Sequence, residues 1–595
     1  MRLFVWLGAL SLLLSSSVAR AQDRYALGLF HFNVQYVAGG SAGSRLLIAD
    51  PAKAVDNDTM EDQIIVESFK PVLDLYQKHP AWGVDLEMQG YMLDAIGERH
   101  PGVLSELRAM AKSGQIDVVS FHYSDQLFTA FPQQDWERSQ ALTRATFKNW
   151  DVPLAKSVFC QEGQAGMAMA PQMKAHGYQN MLWPKNLWSY QHDNFDSTVQ
   201  PLYRFGDVFL VPAGRGVHYT DANNDIQVDW TYMDDGELLA TGGNNPYFPD
   251  QFKYKPAAVA DYEKKLSDLE AQGYAITTVD KYVAALRQKL TPPDPPPLLD
   301  GTWQPNSTQA EFKWLGGNGV WSAFGEERDN TVRTLNALAH RELMAAETAA
   351  KVAGLGARAE LDSAWRLLFL GEVSDATGIN PIRGEIEYGI SNSTEALRIA
   401  RDVIRQAKAK QKADSVIIDP GAGSMQAGTE DEPMRGQSVP APIKLSIKPG
   451  DREVTEEWEK VADAHYRVAI HFGPGAYTDA SVVFPGEKTD DFVTTLALDD
   501  SSPHTFHRSD FTFKDFYMAL PTGLISLGKS RYLIKDQADV HLAAHLRLDT
   551  GDIGFEDKTL AKADSVTWVF HVFDGSAADA VKLADAINVT RRVVR

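Results

Sequence analysis

The carboxylates Glu162 and Asp235 each come just after a short apolar run in the first half of the chain, and His31 and Asn33 follow the first such run. If these runs are parallel strands of a barrel, the four side chains converge on one rim. Two carboxylates that face each other across a glycosidic bond are the minimum machinery for its hydrolysis, one as nucleophile and one as proton donor. An acidic residue after a strand is also a common loop cap, so the pattern alone leaves both interpretations open.

The elements that must position these residues are short apolar runs that alternate with amphipathic stretches. The runs that predict strands are residues 26–30, 84–88, 116–121, 157–160, 180–183, 208–211 and 227–233. Amphipathic stretches such as residues 101–113 and 171–176 lie between them and predict helices. Alternation on this scale favours parallel βα units, and therefore a barrel or an open α/β sheet.

Two breaks in composition divide the rest of the chain, a proline-rich segment at 291–297 and a segment rich in Gly, Pro and charge at 419–442 that predicts a loop or linker. Between the breaks, the apolar spacing predicts three helices, at residues 331–352, 364–370 and 394–412. After the second break, alternating or β-rich runs predict an antiparallel β domain, with strands at residues 468–472, 491–498, 517–527, 540–548 and 566–573.

The first residues are typical of an export signal. Arg2 gives a positive start, residues 3–14 form an apolar run, and small residues at Ala19 and Ala21 predict cleavage after Ala21. A run of about a dozen apolar residues is too short to span a bilayer. We therefore expect a secreted or periplasmic protein, and Cys160, as the only cysteine, excludes a disulfide within the chain.

Composition excludes several classes of partner. The chain has 595 residues, of which 44% are hydrophobic and 23% charged, so it has enough apolar material for two to four globular domains. The 79 acidic and 58 basic residues give a net charge of −21, spread along the chain. A nucleic-acid binder needs a basic face to displace phosphate counterions, so we expect no nucleic-acid partner, and anionic membranes are disfavoured for the same reason.

The order of the polar segments resembles glycoside hydrolase family 57 and, more distantly, the family 38 α-mannosidases. The segments that carry the resemblance are residues 29–36, 114–119, 159–163, 233–237 and, with Trp365, 371–375. Asn33 stands where family 57 usually has a second histidine, and Val34-Gln35 replaces the Gln-Pro that follows it. These departures leave the substrate open, so activity on starch does not follow from the resemblance.

The resemblance implies a retaining α-glycosidase or transglycosylase that acts on an α-linked oligo- or polysaccharide. Glu162 would be the nucleophile and Asp235 the acid/base, because Asp235 rather than Asp234 holds the first position of the Asp-Gly-Glu segment. The expected fold is α/β, with a signal peptide at 1–21, an incomplete (β/α)7 catalytic barrel at 22–290, a three-helix bundle at 298–412 that completes the site, and a C-terminal antiparallel, β-sandwich-like domain at 440–595.

The remaining site residues are expected to bind the sugar. They are His31, Asn33, His122, Asp234, Glu237, Trp183, Trp188 and Asp375. The two tryptophans are candidate stacking platforms, although ordinary core or rim aromatics are an equally good interpretation. We expect no cofactor and no metal, because the sequence shows no His/Asp/Glu cluster with ligand spacing in the first domain.

Two other functions fit parts of the pattern. A metal-dependent polysaccharide deacetylase would need a His-x₃-His pair, and His541 and His545 have that spacing, but they lie in a strand-like run of the last domain. A family 38-like mannosidase would need His-x-Asp on the first strand, where Asn33 replaces the carboxylate. A carbohydrate-binding protein without turnover would keep the cleft and lose only the chemistry.

Overall fold

The computed structural model describes residues 23–41, 51–192, 199–214, 218–220, 226–302, 329–376, 383–429, 434–475, 478–560 and 565–595. The chain has the mixed α/β structure expected from the sequence. The predicted export signal lies outside the described residues. Among the helices that the structure describes, none has both the length and the apolar character needed to cross a bilayer.

The strands are numbered in chain order. They are β1 (Asp23–Phe32), β2 (Val84–Met88), β3 (Ile116–Val119), β4 (Ser157–Val158), β5 (Asn180–Pro184), β6 (Tyr203–Phe205), β7 (Val208–Ala213), β8 (His218–Thr220), β9 (Ile226–Asp235), β10 (Ala275–Thr277), β11 (Val416–Asp419), β12 (Ser424–Ala427), β13 (Gln437–Ser438), β14 (Ser446–Lys448), β15 (Val454–Ala462), β16 (His465–Phe472), β17 (Thr478–Phe484), β18 (Asp491–Leu496), β19 (Asp499–His507), β20 (Asp515–Met518), β21 (Leu524–Ser526), β22 (Arg531–Lys535), β23 (Ala544–Arg547), β24 (Ile553–Leu560), β25 (Val566–Asp574) and β26 (Val593–Val594).

The α-helices follow the same convention. They are α1 (Asn57–Ile64), α2 (Lys70–Lys78), α3 (Gly90–Arg99), α4 (Pro101–Ser113), α5 (Gln133–Asn149), α6 (Met169–Ala175), α7 (Lys185–Gln191), α8 (Gly236–Ala240), α9 (Pro256–Ala271), α10 (Val279–Leu286), α11 (Asp329–Ala353), α12 (Arg358–Gly371), α13 (Arg383–Gln411) and α14 (Ala577–Asn588).

The strands of the first half form two sheets. In the first sheet, β3, β2, β1 and β9 are parallel neighbours, while β10 pairs with the start of β1 and β8 lies antiparallel on β9. In the second, β4, β5 and β7 are parallel and β6 is an antiparallel edge. A main-chain bond of 2.9 Å from Ala155 N–H to Val118 O joins the two sheets where β3 approaches β4. All seven strands predicted in this half are present, and in each sheet the parallel strands end at one edge.

Both faces of β1 are buried, which is typical of a strand in a covered parallel sheet. Leu27 and Leu29 pack into an inner core shared with the second sheet, whereas Phe30 and Phe32 pack against the surrounding helices. Side chains alternate along a strand, so the next residue of the inner series is His31. The end of β1 therefore presents a histidine on its inner face.

The three helices predicted in the middle of the chain correspond to α11, α12 and α13, which pack on one another. Small side chains such as Ala346 and Ala400 are fully buried in the core of this bundle. The bundle is tied to the loop after β3, since Ser374 N–H donates to Asp125 O at 2.8 Å and Leu127 N–H donates to Glu372 O at 2.9 Å. The segment after α12 is thereby carried to the ends of the parallel strands.

The last part of the chain contains an eight-stranded and a five-stranded sheet with antiparallel pairing. Two expectations differ from the structure. The run 517–527 forms two strands, β20 and β21, because the chain turns between them at Leu520 and Gly523, which have positive φ angles of 49° and 71°. The segment 419–442, expected to be a linker, takes part in a hairpin of β11 and β12 that pairs with β26.

Candidate active site

Strand register brings three polar side chains to the same face. His31 on β1 lies opposite Glu87 on β2 and opposite Asp235 on β9. Residues in register on neighbouring strands point to the same side of a sheet, so all three point to the inner face. Phe30, which faces the helices, is in register with Asp234. The register therefore places Asp235, and not Asp234, with His31, and Asp234 is corrected from the predicted sugar site to the helix side of β9.

Glu162 occupies a strained turn directly after β4. Its backbone has φ 57° and ψ 21°, the left-handed region that costs a non-glycine residue roughly 1–3 kcal/mol. Its side chain is 6% exposed. Gln161 Nε2 donates to Glu162 Oε1 at 2.9 Å, and Ser374 Oγ donates to the same oxygen at 3.4 Å. Such strain is commonly kept at functional sites, and the two hydrogen bonds fix the position of the carboxylate.

Asn33 connects three parts of the molecule. Its Nδ2 donates to Asp375 Oδ2 at 2.6 Å, and its backbone N–H donates to Glu237 Oε1. Its Oδ1 accepts from Gln35 N–H at 2.7 Å and from Gln89 Nε2 at 3.0 Å. The bundle residue Asp375 and the α8 residue Glu237 are thus held beside the end of β1.

Burial and several carboxylates raise the pKa of the Tyr36 hydroxyl. Its pKa is raised first by burial, and then by the negative charges of Asp235, Glu237, Asp375 and Glu162. These four carboxylates come from β9, α8, the segment after α12 and the turn after β4. The negative charges of these four residues, which the sequence analysis selected from distant segments, therefore act on one hydroxyl group, that of Tyr36.

Burial and the nearby carboxylates also shift the pKa values of His31 and Glu237. Burial opposes protonation of His31, but Glu87 and, to a smaller extent, Asp125 and Asp235 hold its pKa well above the usual value. Burial, followed by repulsion from Asp235, holds the pKa of Glu237 well above its usual value. The carboxylates around His31 therefore favour its protonated form, and burial together with Asp235 disfavours ionisation of Glu237.

The sequence analysis missed several residues of this group, namely Tyr36, Glu87, Gln89, Asp125, Gln161 and Ser374. Glu87 had a readable signal, because it is a charged residue inside a fully buried strand. Tyr36, Gln161 and Ser374 lie inside segments that carry the family resemblance, but they were not selected as site residues. Gln89 and Asp125 depend on which loops meet, and the sequence carries no signal for that. His122, which was predicted, lies fully buried beneath the site, where its Nε2 accepts from Gln161 N–H at 3.3 Å.

Trp183 and Trp188 do not present open faces. They are 1% and 3% exposed, belong to the inner core and meet edge to face with ring centroids 5.5 Å apart. A sugar ring stacks on an accessible aromatic face, so the platform role predicted for both is corrected to a core role.

The comparisons with known proteins agree with the fold. No model of a known protein family matches the sequence. Alpha-amylase 1 of Dictyoglomus thermophilum is 29% identical over 68 residues, which are 11% of this chain and only 10% of that protein. An alpha-mannosidase from Enterococcus faecalis V583 superposes with a TM-score of 0.58 over 96% of this chain and 89% of that chain, at 9% identity. A protein in the glycosyl hydrolase family 38 from Enterococcus faecalis superposes with a TM-score of 0.52 over 97% of this chain and 89% of that chain, also at 9% identity.

The chain shares the fold of these two proteins. The resemblance expected from the sequence is thereby confirmed for the fold, on its family 38 side. A family 38 site would need His-x-Asp on the first strand to hold zinc. Here His31 Nδ1 contacts Glu87 Oε2, and Asn33 uses both ends of its amide in hydrogen bonds. The family 38 zinc arrangement therefore does not fit the residues present at the end of β1.

The histidine pair of the last domain is also explained by local contacts. His541 is buried, with its Nε2 2.9 Å from Ala130 O. His545 lies on β23, with its Nδ1 3.5 Å from Glu556 Oε1. Both are remote in the chain from the carboxylates described above and lie in or beside the five-stranded sheet.

Proposed function

We propose that this protein is a retaining glycoside hydrolase, or a transglycosylase, acting on α-linked sugars, with Glu162 as nucleophile and Asp235 as acid/base. The observation that carries the proposal is geometric: the strand register places Asp235 beside His31, and Ser374 donates to Glu162 from the segment that also carries Asp375. The fold shared with an alpha-mannosidase supports the same class of reaction.

The proposed reaction has two displacements at the anomeric carbon. In the first, a Glu162 oxygen bonds to that carbon while its bond to the leaving oxygen breaks and Asp235 protonates the leaving oxygen. In the second, Asp235 takes a proton from water, or from a sugar hydroxyl in transfer, and the new oxygen displaces Glu162. Inversion at each step gives a product with the starting configuration.

Neighbouring residues would position the nucleophile and bind the sugar. Gln161 and Ser374 donate to Glu162 and would hold its carboxylate in position for attack. Asp235 is more exposed than Glu162, as exchange of a proton with water requires. His31, Asn33 and Asp375 would hold sugar hydroxyls, because their charged and polar groups lie around the same point.

We also assign residues 22–290 to an incomplete (β/α)7 catalytic barrel, 298–412 to a helical bundle that completes the site and 440–595 to a β-sandwich-like domain. The two parallel sheets, the three long helices and the two antiparallel sheets support these assignments. We further propose that the chain is secreted or periplasmic after cleavage behind Ala21, on the export pattern of its first residues.

The test is cleavage of aryl α-mannosides and α-glucosides, the sugars suggested by the names of the two relatives, with the β-anomers as controls. We expect Glu162→Gln and Asp235→Asn to lower kcat by about 10²–10⁴-fold. The matched control is Asp234→Asn, next in the chain but on the other face, which should stay within a few-fold of the wild type. Wild-type turnover by either catalytic variant would overturn the assignment. Sugar binding without turnover by the wild type would indicate a carbohydrate-binding protein instead.

A further inference from the structure

A second cluster of ligating groups lies at the ends of β2 and β3. One side-chain ligand atom from each of Glu87, His122 and Asp125 lies within 4.8 Å of the other two. All three side chains are fully buried. Among the residues that the structure describes, this is the one group of three such residues with mutual distances suited to a metal ion.

The hydrogen bonding of this cluster is incomplete. Both carboxylate oxygens of Asp125 and Oε1 of Glu87 are buried without a hydrogen-bond partner among the described residues. Buried acceptors in folded proteins nearly always have a donor, an ordered water or an ion. Three buried carboxylate oxygens without a hydrogen-bond partner therefore indicate, independently of the distances, that a cation binds to this cluster.

The charges point the same way. His31 is a basic side chain in contact with the cluster, through its Nδ1 and Glu87 Oε2. One positive charge on His31 can balance only one of the two carboxylates, Glu87 and Asp125, and a bound cation would balance the other.

His122 offers one ring nitrogen to the cluster. A neutral imidazole has a lone pair on only one ring nitrogen, so a metal ion bound there would replace the long 3.3 Å hydrogen bond that Nε2 accepts from Gln161 N–H. Neutral imidazole is the commonest protein ligand for transition metals. One imidazole and two carboxylates are a donor set that suits zinc and its neighbours better than magnesium or calcium, which prefer oxygen ligands alone.

We propose that Glu87, His122 and Asp125 bind one divalent metal ion of the zinc class. This site differs from the family 38 arrangement that Asn33 rules out, and no step of the proposed hydrolysis depends on it. The ion would balance the buried carboxylates and fix Glu87, which in turn contacts His31.

The test begins with the full-length protein stripped with chelator and dialysed against Zn²⁺ alone, with Co²⁺ as a spectroscopic probe. We expect one Zn²⁺ per chain, and an absorption spectrum that shows bound Co²⁺ with a low coordination number. Asp125→Asn and His122→Asn should each weaken Zn²⁺ binding more than roughly 100-fold, since loss of even an indirect partner costs 10- to 100-fold. Asp300→Asn and His541→Asn are matched controls, and both should bind Zn²⁺ like the wild type. His541 is buried and Asp300 is partly buried, and both lie outside the cluster.

Thermal stability supplies a second readout that a misfolded variant cannot imitate. Without metal, Asp125→Asn should melt no lower than the wild type, because it removes an uncompensated buried carboxyl group. With Zn²⁺, the wild type should gain stability and the variant should not. Glu162→Gln should keep Zn²⁺ binding while losing turnover, so failure of this proposal and failure of the proposed hydrolysis are distinguishable.

Three outcomes would overturn the metal site. They are a wild type that binds no Zn²⁺ or Co²⁺, equal loss of binding in the control variants, or a metal-free Asp125→Asn protein that melts below the metal-free wild type. The last result would mean that protonated carboxyl groups already satisfy the cluster.

Discussion

Replacing Asp375 tests whether the helical bundle takes part in the chemistry. Asp375 Oδ2 accepts the 2.6 Å hydrogen bond from Asn33, and its charge acts on Tyr36 and Asp125. Loss of a charge-assisted hydrogen bond costs about 1.5–3 kcal/mol. Asp375→Asn also removes repulsion among the clustered carboxylates, which offsets part of that cost. We therefore expect its free energy of unfolding to change by no more than about 1 kcal/mol.

The effect on turnover should be larger. Removal of one preorganised group that acts on the transition state typically lowers kcat by about 10²–10³-fold, or about 2.7–4 kcal/mol. Both Asp375→Asn and Asp375→Ala should show this loss. The matched control is Glu342→Gln, another buried bundle carboxylate, which pairs with Arg401 at 3.6 Å outside the site. It should change the melting temperature with little effect on kcat.

The assay is kcat and KM on the accepted aryl glycoside, measured beside thermal melts of the same preparations. The reasoning is refuted if Asp375→Asn keeps kcat within threefold of the wild type, or if its loss of activity follows its loss of stability as in Glu342→Gln. Either result would make the bundle a neighbour of the site rather than a part of it.

Three other variants test single features of the structure. Trp183→Phe should lower the melting temperature and leave KM unchanged, because the ring is in the core; a large rise in KM without destabilisation would restore its role as a platform. Gly236→Ala should lower kcat, because a Cβ there would lie 2.8 Å from the ring of Phe32 and displace the segment that carries Asp235, the proposed acid/base; unchanged kinetics would contradict this. Burial raises the pKa of Asp300 to about 7 in the folded protein, against 3.8 as its ordinary value. Stability from its protonated form is therefore complete below about pH 4 and lost as pH rises to about 7, so Asp300→Asn should reduce the fall in melting temperature between pH 5 and pH 8. Parallel melting curves for wild type and variant would refute that assignment.

Local pattern was sufficient for much of the framework. Each of the seven strands predicted in the first half exists, and α4 has the predicted limits of 101 and 113, with Gly114 as its left-handed C-cap. These strands and this helix could be predicted because their apolar residues have a strong period, and burial of those residues stabilises the elements. The prediction of the C-terminal strands was less accurate, because some turns have no sequence signal. At Leu520, for example, the chain turns with a positive φ angle on a residue type that does not indicate a turn.

The sequence analysis selected candidate site residues chiefly where a residue follows a predicted strand. Glu162 and Asp235 have that position, and Asp375 was selected through the family resemblance. Glu87 was missed although the sequence carries a signal for it, since it is a charged residue inside the predicted strand at residues 84–88. Asp125 required knowledge that the loop after β3 meets the segment after α12, which is a long-range contact that no local spacing encodes.

The most direct test of the proposed mechanism is capture of the covalent glycosyl-enzyme intermediate. A slow fluorinated α-glycosyl fluoride of the accepted sugar would be incubated with the protein, and the digested peptides analysed by mass spectrometry. The proposal predicts one sugar on the peptide that contains Glu162, absent in Glu162→Gln, and an α-anomeric product by NMR. A sugar on Glu237 or Asp375, or an inverted product with no adduct, would contradict the assignment of Glu162 as the nucleophile.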